Sequence, residues 1–200
     1  MPDDAHQARE DRIAKAAYDL LETRGYAGTS MLAVAKAARA SNETLYNWYG
    51  DKLGLFRALI ERNSQDVRAL LDTQAPESAP LQTLAALGPA LLTLLLGDRA
   101  IALNRAAAGD ATGTLGRALA ETGRDVILPR IGAVLAAARN QGDLRYDQLD
   151  EALDLYIALL VGDLQIRRVI GTLPAPDADA VRHRAETALT RFLALTAPAG

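Results

Sequence analysis

Between Ser41 and Lys52 the chain reads Ser-Asn-Glu-Thr-Leu-Tyr-Asn-Trp-Tyr-Gly-Asp-Lys, a segment dense in groups that suit the two surfaces of a nucleic acid. On a helix Leu45 and Tyr49, four apart, point back into the protein, which leaves Asn42, Glu43, Tyr46 and Asn47 turned outward. Carboxamides pair with base edges, whereas hydroxyls and cations hold phosphate oxygens without reading sequence. Asn42 and Asn47 are therefore the candidate base readers. Glu43 either accepts from a cytosine amino group or completes a local helix cap, since a carboxylate facing a polyanion is otherwise unfavourable. Around them Thr29, Ser30, Ser41, Thr44, Tyr46, Trp48 and Lys52 supply hydroxyl, indole N–H and ammonium donors of the kind that hold phosphates.

Such a surface needs a tight pair of helices behind it. Apolar residues at Ile13, Ala16, Ala17, Leu20 and Leu21 recur at spacings of three and four, so a first helix starts near Ala8 and stops at Gly25. Thr29-Ser30 caps a second helix from Met31 to about Ala37, and Ser41 caps a third. Ala33, Val34, Ala37 and Ala38 are small enough for close helix contact, and the spacing predicts a helix-turn-helix over residues 30 to 52. Composition alone does not announce it. The net charge is −3, and the first 62 residues hold nine basic and nine acidic side chains. Attraction to phosphate must then come from where the charges sit.

The remaining residues read as helices as well. Half of the chain is apolar, aromatics are only 4 %, and Ala and Leu dominate, a bias that suits helices and disfavours sheets. A helix runs from Lys52 to about Thr73, and Gln74-Ala75-Pro76-Glu77-Ser78-Ala79-Pro80 reads as a connector. Further helices are expected at about Arg99 to Ala108, Thr112 to Asn140 with a kink at Pro129, Gln148 to Ile170, and Asp177 to Leu195. The fold class is all-α, with about nine helices. A helix-turn-helix DNA-binding domain over residues 1–54 precedes a helical ligand-binding and dimerisation domain over residues 55–200. The last two helices are apolar over a wide arc, which calls for a second burial surface such as a second copy.

Several classes are excluded. No cysteine is present, so disulfides, thiolate nucleophiles and Cys-based zinc sites are absent. His6 and His183 are too far apart in sequence to suggest a metal, and no cofactor motif, phosphate loop or nucleophile elbow is found, so no enzyme is expected. The uncharged run from Ser78 to Gly97 is long enough to span a bilayer, but Gln82, its hydroxyls and Gly88-Pro89 favour a helix buried in a protein bundle. The start of the chain lacks a secretory signal, and the expected location is cytoplasmic. Polar groups beside apolar helical segments, Asn104, Arg105, Tyr156, Asp163 and Gln165, are the candidates for contacting a small molecule. Arg167-Arg168 reads as a solvated or dimer-rim pair.

Gly25-Tyr26-Ala27-Gly28-Thr29-Ser30, Ala35 to Ala38, and Thr44-Leu45-Tyr46 through Tyr49 and Lys52 together resemble the TetR family of bacterial repressors over about residues 9 to 60. The resemblance implies phosphate contacts from Thr29, Tyr46, Trp48 and Lys52, and groove contacts from residues 42, 43 and 47. It also implies a homodimer, with the last two helices pairing in a four-helix bundle, operator DNA as partner and a small-molecule effector. Two departures stand out: Arg39 where the family often has glycine in the turn, and Asn42-Glu43 in place of a frequent Lys-Gly pair. The expected function is a repressor released from a palindromic operator by an apolar or amphipathic ligand. The other reading, favoured by Glu43 and the near-neutral N-terminal part, is a helical small-molecule-binding or scaffolding protein that keeps the fold without operator binding.

Overall fold

The computed structural model describes residues 2–73 and 79–198, and every regular element among them is helical. In order these are α1 (Pro2–Gly28), α2 (Met31–Ala38), α3 (Asn42–Tyr49), α4 (Lys52–Asn63), α5 (Gln65–Thr73), α6 (Pro80–Leu96), α7 (Asp98–Ala108), α8 (Thr114–Leu119), a π-helical turn (Ala120–Arg124), α9 (Asp125–Asn140), α10 (Leu149–Val161), α11 (Leu164–Val169) and α12 (Ala178–Leu195). Most of the connector expected at Gln74 to Pro80 falls in 74–78, outside the described residues.

The chain folds into two compact units. The first combines residues 1–63 with 102–123, and the second combines 64–101 with 124–200. In the first, the α1 stripe of Ile13, Ala17 and Leu21 closes over Val34 and Ala38 of α2, Leu45 of α3, and Phe56 and Leu59 of α4, all buried. Leu103 of α7 and Leu115 and Ala118 of α8 complete this core, so residues remote in sequence help to hold α1 to α4. Tyr18 fastens α1 to α4 directly, its hydroxyl donating to the Leu59 carbonyl at 2.6 Å.

In the second unit α6 packs against α5, α9, α10, α11 and α12. Its residues Leu84, Leu87, Leu91 and Leu92 are buried beside Ile131 and Leu135 of α9, Tyr156 and Leu160 of α10, and Phe192 of α12. Gly88 permits this density, because a Cβ there would stand 3.1 Å from that of Ala185 on α12. The uncharged run is therefore a core helix. No single described helix is long and apolar enough to cross a membrane, although α6 and α7, bent by 55° at their junction, pass that test as a pair by length and composition.

Three expected helices are broken where periodicity gave no warning. The helix from Lys52 divides at Ser64, whose carbonyl accepts from Arg68 and so starts α5 afresh. The helix from Gln148 divides at Gly162-Asp163. The third break is the π-helical turn at Ala120–Arg124, and α9 runs on from it through Pro129. Pro129 is the fifth residue of α9, so the only intrahelical bond it forfeits is to the carbonyl of Asp125, at the helix start.

Candidate nucleic-acid interface

The first unit places its polar residues through caps and one left-handed turn. Gly25 interrupts α1 with φ 64° and ψ 179°, a conformation that glycine adopts without steric penalty, and so redirects the chain toward α2. Ser30 then caps α2, its Oγ accepting from the Ala33 amide at 3.1 Å. Arg39 ends α2 in the left-handed region, φ 53° and ψ 42°, the only non-glycine with positive φ among the described residues. The family-atypical arginine thus adopts the backbone conformation that a glycine would take there. Ser41 caps α3, accepting from the Thr44 amide at 3.0 Å and sharing a 2.7 Å hydrogen bond with the Thr44 hydroxyl.

Leu45 is the one fully buried residue of α3, and its seat in the core fixes how the helix is rotated. With Leu45 inward, Asn42, Glu43, Tyr46 and Asn47 all face solvent, and Tyr46 is 50 % exposed. Thr44 and Trp48 are half-buried. Trp48 meets Tyr49 edge-on, with centroids 6.3 Å apart, and His6 of α1 at a tilt, with centroids 4.4 Å apart. Burial raises the Tyr49 phenol pKa, with the Glu10 carboxylate adding to the effect. Ser30 and Ser41 are exposed, and the Ser30 hydroxyl accepts in its capping bond and so keeps its proton as a donor.

Two of the expected phosphate donors are occupied within the protein. Thr29 is buried, and its hydroxyl donates to the Gly25 carbonyl at 2.8 Å, so it holds the α1–α2 corner instead of facing outward. Lys52 is half-buried; its ammonium donates to the Tyr26 carbonyl and lies 3.9 Å from the centre of the Tyr26 ring. Partial burial pulls the Lys52 pKa down, while burial together with Asp51 and Asp110 pushes the Tyr26 phenol up. The first turn of α4 is secured separately, by the Asp51 carboxylate accepting from the Gly54 amide at 2.7 Å.

The five residues marked as ligand candidates fall in different units. Asn104 and Arg105 lie in the first unit, Arg105 exposed, whereas Tyr156, Asp163 and Gln165 lie in the second. Tyr156 is buried at the helix junction, its hydroxyl 3.4 Å from the Leu84 carbonyl and its ring edge-on to Phe192 at 5.4 Å; burial raises its pKa strongly. Gln165 donates to the Leu95 carbonyl at 3.2 Å, and Asp163 is exposed. Arg168 corrects the expectation of a solvated pair, because it is buried and its guanidinium donates to the Leu96 and Leu173 carbonyls and to Asp98. No group of His, Asp and Glu among the described residues is arranged to hold a metal. Sequence reasoning passed over Leu32, which is 66 % exposed on α2. Its place on the outer face becomes evident only when Met31, Val34, Ala35 and Ala38 are seen to be the buried ones.

A short capped helix, a left-handed turn and a second short helix showing amides and hydroxyls to solvent define a helix-turn-helix DNA-binding protein. Residues 13–59 match the model described as bacterial regulatory proteins, tetR family, and residues 82–196 match that described as AefR-like transcriptional repressor, C-terminal domain. A TetR transcriptional regulator from Agrobacterium tumefaciens is 33 % identical, with 94 % of each chain covered and a TM-score of 0.73. The Flavonoid-responsive Regulator FrrA is 26 % identical, with 96 % of this chain and 98 % of that one covered and a TM-score of 0.70. FadR from Bacillus subtilis, solved in complex with stearoyl-CoA, shares the fold at 14 % identity, with 92 % and 97 % covered and a TM-score of 0.71. Among curated protein sequences none matches this chain. The chain belongs to the TetR family of bacterial regulatory proteins and is a DNA-binding transcriptional regulator.

Proposed function

We propose that this regulator is a repressor, acting in the bacterial cytosol, that leaves a palindromic or nearly palindromic operator when a small apolar or amphipathic molecule binds its second unit. The observation that carries the reading is the rotation of α3: Leu45 is sealed in the core, and Asn42, Glu43, Tyr46 and Asn47 stand in solvent where base edges and phosphates can meet them. Asn42 and Asn47 read bases, Glu43 accepts at the groove edge, and Ser30, Ser41, Thr44, Tyr46 and Trp48 hold the backbone. Lys52 reaches phosphate by exchanging its Tyr26 carbonyl partner.

The working species is a homodimer built through α10 and α12. Leu153, Ile157, Leu189 and Leu193 of these helices pack against the core yet are only half-buried, and Leu195 is exposed. Two recognition helices about 34 to 36 Å apart would then meet successive turns of one DNA face. The effector is apolar or amphipathic, because the C-terminal helices bury few charged side chains among their apolar residues; the likeness to a flavonoid-responsive regulator is consistent with that. A coupling of about 1 to 3 kcal/mol between the two ligands weakens operator binding by roughly 5- to 150-fold.

The test is selection of genomic fragments by purified protein, followed by titration of the selected site against salt. A palindromic site whose affinity falls steeply with salt is expected. Asn47→Ala should relax preference at one base pair by about 1 to 3 kcal/mol, while Tyr46→Phe weakens every sequence alike. The competing reading, a protein that keeps the fold without operator binding, draws on the engaged Lys52 and the exposed Glu43. Feeble, sequence-independent binding to all fragments would decide for it.

A further inference from the structure

Only two large apolar side chains among the described residues of the first unit are substantially exposed, Leu32 and Tyr46, and both stand on the helix-turn-helix. Tyr46 carries a hydroxyl to answer phosphate. Leu32 has none. It is 66 % exposed on α2, flanking the buried face of Met31, Val34, Ala35 and Ala38. A single exposed leucine is ordinary on a protein surface, so its place decides the matter. Lys36, four residues on and therefore on the same helix face, is exposed, and Arg39 beyond it is exposed in the left-handed turn. Ser41 and Asn42, exposed in turn, start α3. An apolar tip, two cations and the first recognition-helix amide are thus all exposed and follow one another along the sequence.

The two cations suit phosphates, and an exposed leucine near them needs an apolar partner on the same duplex. The major groove offers one apolar feature to a protein, the C5-methyl group of thymine. We propose that Leu32 is a specificity-determining residue that packs against a thymine methyl in each operator half-site, giving α2 a share in base reading alongside α3. This rests on the operator-binding reading above. Because the Leu32 side chain takes no part in the core, its contribution is confined to the complex. It also supplies discrimination that a recognition helix with no lysine or arginine lacks, α3 being Asn-Glu-Thr-Leu-Tyr-Asn-Trp-Tyr.

The experiment replaces thymines of the selected operator, one at a time, with deoxyuridine, which removes the methyl and leaves the hydrogen-bonding edges intact. Wild-type protein should lose about fourfold in affinity at one thymine per half-site, the scale of a single buried methyl group. Leu32→Ala should bind the unmodified operator several-fold more weakly and be indifferent to deoxyuridine at that same position, with an unchanged melting temperature. A wild-type protein that selects an operator yet ignores every deoxyuridine would overturn the inference alone. So would a Leu32→Ala variant as sensitive to the substitution as wild type. Failure to select any operator would overturn the operator-binding reading and this inference together.

Discussion

Replacing Arg168 with methionine should remove about 2 to 4 kcal/mol from the stability of the second unit. Arg168 sits on a helix of only six residues, is 8 % exposed, and donates from Nε to the Leu96 carbonyl at 3.0 Å and from a terminal nitrogen to the Leu173 carbonyl at 3.2 Å. Leu96 is the last residue of α6, so its carbonyl has no partner within that helix. Gln165 serves the Leu95 carbonyl in the same way, and α11 therefore caps the C-terminus of the unit's central helix with side chains. Bonds from a charged donor contribute roughly 1.5 to 3 kcal/mol each. Two of them sum to more than the expected loss, because methionine fills the volume with apolar surface and water reaches part of the Leu173 loop. The ion pair to Asp98, at 2.6 Å, adds little, since that carboxylate is 72 % exposed and screened by solvent. Asp98→Asn should cost less than about 1 kcal/mol. Urea unfolding followed by circular dichroism reads both: with a slope near 2 kcal/mol per molar, Arg168→Met lowers the midpoint by about 1 to 2 M at unchanged slope. The reasoning fails if Arg168→Met stays within about 0.5 kcal/mol of wild type, or if Asp98→Asn costs as much.

Arg39 holds φ 53°, which penalises an L-residue by about 1 to 2 kcal/mol. Arg39→Gly should stabilise the first unit by about 0.5 to 1 kcal/mol after glycine's larger entropy loss, while Arg39→Val should melt earlier than wild type. At high pH the buried Tyr156 phenol favours its protonated form in the folded state, so the unfolded chain loses that proton first. Its contribution to stability is complete below about pH 10, the unfolded tyrosine value, and declines as pH rises from there toward the raised folded value. Alkaline unfolding monitored by tyrosinate absorbance should be less steep in Tyr156→Phe; equal steepness would place the effect elsewhere.

Periodicity and capping residues were enough to set out the first three helices from sequence, because each is specified by local signals. The stripe from Ile13 to Leu21, the stop at Gly25, the caps at Ser30 and Ser41, and the outward set Asn42, Glu43, Tyr46 and Asn47 all depend on residues within a few turns of one another. The resemblance to the TetR family rested on those same positions, and the match over residues 13–59 covers them. Tertiary structure decided what local signals cannot carry. Thr29 and Lys52 have the chemistry of phosphate donors, but whether a hydroxyl or ammonium is free depends on which carbonyl the folded chain brings to it, here those of Gly25 and Tyr26. Arg168 looked like a surface charge because sequence does not show that its fork would meet a helix C-terminus about 70 residues earlier in the chain. The recruitment of residues 102–123 into the N-terminal unit, and the exposure of Leu32, likewise follow from which faces meet across long sequence separations. Composition and spacing determined that this chain is helical and where α3 begins; only packing determined which polar groups of the helix-turn-helix stand in solvent.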